Sequence, residues 1–83
     1  MAVTFDYRSC QHRLYFTLEE RAKHAEVVVK EHISPFDIYI ETENDEPTVF
    51  TLWFLTDHSL TEAEEQNIIA LTKPYQWQIN CRL

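Results

Sequence analysis

The chain has 83 residues, a formal net charge of −7, 45% hydrophobic and 13% aromatic residues, two cysteines and no glycine. That length allows one modest core, so residues 1–83 are expected to form a single domain, and the apolar content excludes a disordered chain. The lack of glycine excludes the glycine-rich loops that lay backbone amides on phosphate, so P-loop and dinucleotide-binding functions are ruled out.

Val3, Phe5 and Tyr7 alternate with polar residues, a strand pattern, and Ser9–His12 reads as a turn. Leu14 and Phe16 predict a second short strand over 13–17. Thr17-Leu18-Glu19-Glu20 matches a capping box, with a helix expected from there to about His32 and an apolar line of Leu18, Ala22, Ala25 and Val29. Glu19–Lys23 and Glu26–Lys30 are supporting i,i+4 pairs, and Ser34-Pro35 ends the helix.

Phe36, Ile38 and Ile40 alternate with Asp37, Tyr39 and Glu41, another strand. Asn44-Asp45-Glu46-Pro47 is a turn. Val49–Leu55 is apolar or β-branched throughout, as in a central strand with both faces at least partly covered. Thr61-Glu62-Ala63-Glu64 repeats the capping-box pattern and opens a second helix, with Ile68, Ile69 and Leu71 as its apolar side and Pro74 as its stop. Tyr75, Trp77, Ile79, Cys81 and Leu83 then alternate with polar residues, the clearest strand pattern in the chain.

This order predicts an α+β fold of the ferredoxin-like split βαβ type (βαββαβ), an antiparallel sheet with two helices on one face and an extra N-terminal strand at an edge or in a loop. The first and third strands of that topology are central, so residues 2–8 have no free place beside the strand that follows them.

Few constellations suggest chemistry. Cys10-Gln11-His12 could be half of a zinc site, with Cys81 and another histidine completing it, but a second closely spaced ligand pair is lacking. The distance between the cysteines in sequence argues against a disulfide framework, and two free thiols in a reducing cytoplasm are expected. Glu20 and His24 share a helix face without an HExxH pattern, and the serines sit in turn or cap contexts. No catalytic residue, cofactor or metal is expected. No apolar run approaches the ~20 residues that span a bilayer, and the N-terminus lacks the basic flank and apolar stretch of a signal peptide.

Two surface features remain. Between Glu31 and Thr72 there are ten carboxylates and no lysine or arginine. Among them, Glu41, Glu43, Asp45 and Glu46 flank one turn, and Asp57, Glu62, Glu64 and Glu65 gather at a helix start. Such a field repels nucleic acid and steers the chain toward a protein with a basic surface. The bland alternative is solubility and helix capping. Secondly, Tyr15 and Tyr39 are expected on the open sheet face, joined by either Val49, Thr51, Trp53 and Leu55 or Phe50, Leu52 and Phe54. Aromatics there parallel the stacking platform of RNA-recognition modules, but the basic and glycine residues are missing and the charge has the wrong sign. The expectation is a small acidic protein-binding module, an inhibitor or adaptor that occludes a partner's nucleic-acid-binding surface. Glu41, Glu43, Asp45, Glu46, Asp57, Glu62, Glu64, Glu65, Tyr39 and Trp53 would be its contact residues. In size and charge this is similar to small phage-type inhibitors of host defence nucleases. The alternative is a dimeric regulatory domain that pairs through the open face and binds a small ligand there.

Overall fold

A computed structural model describes residues 10–81. The elements run β1 (Cys10–Phe16), α1 (Glu19–His32), β2 (Asp37–Glu43), β3 (Val49–Thr56), α2 (Glu62–Thr72) and β4 (Gln76–Cys81). This is an α+β arrangement with one four-stranded sheet in the order β2-β3-β1-β4. All three neighbouring pairs are antiparallel. The expected strand over residues 2–8 lies outside the described residues.

Alternation along each strand divides the sheet into two faces. Leu14 and Phe16 of β1 and Leu52 and Phe54 of β3 are fully buried, and Ala22, Ala25, Val28 and Val29 of α1 and Ile68 of α2 join them in one core. Ile38, Ile40, Phe50 and Trp77 pack against its margin. Both helices therefore lie over the same side of the sheet. No helix of the described residues is long and apolar enough to cross a membrane.

Several local expectations are corrected. Gln11 and His12 are not a turn; β1 begins at Cys10, and its polar residues alternate between the two faces. The α1 capping box does not form, because the N-cap is Leu18, whose side chain can accept nothing, and Leu18 is 56% exposed rather than core. Its carbonyl takes the first helical bonds, from Arg21 and Ala22. The α2 capping box does form: Thr61 Oγ1 accepts from the Glu64 amide at 3.2 Å, and Glu64 Oε1 accepts from the Thr61 amide at 3.0 Å. On α2 only Ile68 of the expected apolar side is buried, while Ile69 and Leu71 are exposed and Thr72 turns inward, donating to the Ile68 carbonyl. Both i,i+4 pairs of α1 form, at 3.1 Å for Glu19–Lys23 and 3.9 Å for Glu26–Lys30.

The cysteines are also corrected. Cys10 and Cys81, 71 residues apart in sequence, are joined as a disulfide. Sequence distance is irrelevant here, because the β1–β4 register sets the two directly opposite each other.

Without glycine, the tight turns use other residues. Ser34 after α1 and Lys73 after α2 both take positive φ, at 54° and 48°, and each is followed by proline. These are the positions after a helix where glycine is usually found.

Candidate functional site

The face of the sheet away from the helices is covered by no element among the described residues. Strand alternation and register place Asp37, Tyr39, Glu41 and Glu43 of β2 on it, beside Val49, Thr51, Trp53 and Leu55 of β3. Gln11, Arg13 and Tyr15 of β1 follow, then Gln76, Gln78 and Asn80 of β4. Of the two β3 alternatives, the one containing Trp53 is therefore the open side. Phe50, Leu52 and Phe54 face the helices.

At the centre, Tyr39 and Trp53 are directly opposed across β2 and β3. Their rings stack at 5.9 Å between centroids and 5° between planes. On the other side of Trp53, the Arg13 guanidinium lies 4.1 Å from the indole centroid. Tyrosine, tryptophan and arginine thus form a continuous row across three strands, and the cation–π contact holds the guanidinium in place. Arg13 makes no ion pair with a described carboxylate; its side chain reaches Gln11 Oε1 at 3.5 Å. Beyond it the face is uncharged: the Tyr15 hydroxyl donates to Gln78 Oε1 at 2.9 Å. Gln11, Arg13, Gln78, Ile79 and Asn80 line a shallow cavity of about 470 Å³. The face is graded, with carboxylates along β2, aromatics on the β2–β3 seam, one cation on β1 and amides on β4.

The acidic residues divide into two groups. Glu41 and Glu43 share the open face with Tyr39 and Trp53, and Asp45 and Glu46 follow in the β2–β3 turn. Asp57, Glu62, Glu64 and Glu65 lie past the other end of β3, roughly 23 Å away along an eight-residue strand. The fold does not bring the two groups together. In the second group Glu64 is occupied by the capping box, and the Thr61 amide lowers its pKa. Asp57 is paired with His58 Nδ1, whose hydrogen bond lowers the Asp57 pKa.

The end of the sheet near Asp57 holds a buried polar cluster. His12 is fully buried, stacked on Phe54 at 4.6 Å, with Nε2 3.0 Å from Thr56 Oγ1. Thr56 donates its one hydroxyl proton to the His58 carbonyl at 2.7 Å, so His12 Nε2 carries the hydrogen and Nδ1 is left as a lone pair without a partner. Burial and the nearby His58 lower the His12 pKa to about 4. Alongside, the Ser59 hydroxyl touches both disulfide sulfurs, at 3.5 Å from Cys10 and 3.4 Å from Cys81. The zinc site considered from sequence is thus differently arranged, since the Cys10 and Cys81 sulfurs are bonded to each other.

Sequence reasoning did not single out Arg13, and it took His12 for a turn residue and candidate zinc ligand. His12 lies in the part of β1 that begins earlier than expected, and only the β1–β3 register sets Arg13 beside Trp53. The signal that could have found them was the alternation of Cys10, His12, Leu14 and Phe16 against Gln11, Arg13 and Tyr15.

No family model matches the chain. No curated protein matches it either.

Proposed function

We propose that this chain is a binding module without catalytic activity, docking by the β2 side of its open sheet face onto a lysine- and arginine-rich surface of another protein. The observation that carries the reading is the parallel Tyr39–Trp53 stack set between exposed Glu41 and Asp37 of the same strand. Aromatic anchors flanked by charge are the usual makings of a binding centre: rings supply contact area, and carboxylates steer the encounter. Glu43, Asp45 and Glu46 extend the acidic edge into the turn. Asp57, Glu62, Glu64 and Glu65 form a separate patch whose role is capping and repulsion of nucleic acid. Occluding a nucleic-acid-binding groove, in the manner of a phage-type anti-defence protein, is the form of action this charge supports best.

The same proposal includes the ferredoxin-like split βαβ topology, supported by the central positions of β1 and β3 and by both helices lying on one side. It also keeps the cytoplasmic location. The disulfide is the observation against that location, since such bonds persist in oxidising compartments. Thiol labelling of Cys10 and Cys81 in cells decides it.

The test begins with capture of partners from lysate at low and high salt, identified by mass spectrometry. Association rates are then measured across ionic strength. Reversing Glu41 and Glu43 to lysine should slow association and flatten its salt dependence, while Tyr39→Ser should speed dissociation. Unchanged rates in all variants at low salt would remove this face from the interaction. The cavity beside Arg13 favours a second reading, a regulatory domain that binds a small ligand between two copies. That reading requires a metabolite that raises both the melting temperature and the dimer fraction.

A further inference from the structure

β4 is an edge strand, with β1 on one side and no described strand or helix beside its outer edge. Edges are ordinarily guarded by charge, proline or bulges, because their free backbone groups template pairing with another chain. The other edge, β2, has Asp37, Glu41 and Glu43. β4 reads Gln-Trp-Gln-Ile-Asn-Cys, with no charged residue from end to end. Two copies, each at −7, repel one another. Pairing through β2 would set carboxylates against carboxylates, whereas β4 is the edge on which a second copy adds no like-charge contact.

We propose that a second copy of this chain pairs on β4, antiparallel about a two-fold axis through Gln78, joining the two sheets into one. The ladder fixes the register. Cys10 and Cys81 oppose each other at a Cα separation of 4.0 Å, the close, non-hydrogen-bonded kind of antiparallel pair. Alternation then makes Arg13–Gln78 a hydrogen-bonded pair, and the N–H and C=O groups of Trp77 and Ile79 point to the free edge. An axis at Gln78 sets Trp77 opposite the second copy's Ile79, and each such pair exchanges two backbone hydrogen bonds. On the helix side, Ile79, 43% exposed in one chain, is covered by the second copy's Trp77. On the open side, Gln78 meets its own counterpart and Gln76 meets Asn80. Carboxamides donate and accept equally, so these pairs are self-complementary. The interface is isologous and closes at two copies.

This pairing is independent of the docking surface on β2, and salt separates the two. Salt screens the repulsion between acidic copies and should tighten the dimer, while it weakens docking on a basic partner. Sedimentation of the full chain from micromolar to near-millimolar concentration should show a mass rising from 10.0 kDa toward twice that value, with the dissociation constant falling several-fold from low to moderate salt. Gln78→Glu keeps an acceptor for Tyr15 and gains Arg13 as a neighbour within one chain, but it sets two carboxylates face to face across the axis. Its dissociation constant should rise at least ten-fold. Gln78→Cys should cross-link into a covalent dimer on non-reducing gels, and Gln76→Cys, which faces Asn80, should not. A chain of monomer mass at every concentration overturns the proposal, as does a Gln76→Cys variant that cross-links as readily as Gln78→Cys. Dimerisation that appears only after removal of residues 1–9 also overturns it and gives the edge to that segment.

Discussion

His12 shows how one buried side chain ties stability to pH. Its pKa is about 4 in the folded chain against 6.5 for an ordinary histidine. The unfolded chain therefore takes the proton first, and stability falls as pH drops from 6.5 toward 4, with no further loss from this group below that. A shift of this size bounds the effect at about 3 kcal/mol. His12→Phe, which keeps the stacking on Phe54, should flatten the stability profile between about pH 7 and about pH 5, measured by urea unfolding. A slope equal to that of the natural protein would assign the dependence elsewhere. Lys73 is the second informative residue. At φ 48° and ψ 54° it sits in the left-handed region, which disfavours a side chain with a Cβ by roughly 1–2 kcal/mol. Glycine has no such penalty but loses more chain entropy on folding. Lys73→Gly should raise stability by up to about 1 kcal/mol, read as a higher melting temperature.

At the scale of the element, the two helices differ in how they begin. α2 has a complete capping box, and Thr61→Ala should destabilise the protein by about 1 kcal/mol in denaturant unfolding. α1 has the same type of sequence one residue too early: Thr17 stands before the N-cap, and Leu18 occupies it. Leu18→Asp supplies an acceptor at an exposed position and should stabilise by about 1 kcal/mol. The same experiments compare the two helix starts directly, and a loss of stability in Leu18→Asp would show that the Leu18 side chain contributes packing. The strands carry a parallel contrast. β2 and β4 are both edges of one sheet, yet one is lined with carboxylates and the other with amides.

For the whole molecule, the Cys10–Cys81 bond closes a loop of 71 residues, nearly all of the described chain. Constraining the unfolded state over so long a loop stabilises the fold by about 2–4 kcal/mol. Reduction by a dithiol, or a double Cys10→Ser/Cys81→Ser variant, should lower the melting temperature together with the denaturant midpoint. Identical melts with and without reductant would show that the two sulfurs are not bridged in solution.

The sequence by itself determined the six elements and most of their limits, because period-2 and period-3.6 patterns, prolines and one true capping box are local signals. It placed Tyr39 with its acidic neighbours correctly on one face, since alternation within a strand needs no partner. The start of β1, the failed cap at Leu18 and the half-exposed α2 were not legible. Each depends on which residue of one element meets which residue of another. Register alone opposes Cys10 to Cys81, sets Arg13 over Trp53 and buries His12 against Phe54. The two acidic groups, already distinct in the sequence, stay apart in the fold because β3 runs its full length between them. A contact between distant residues is decided by the pairing of strands, and that pairing leaves no trace in the local pattern of either one.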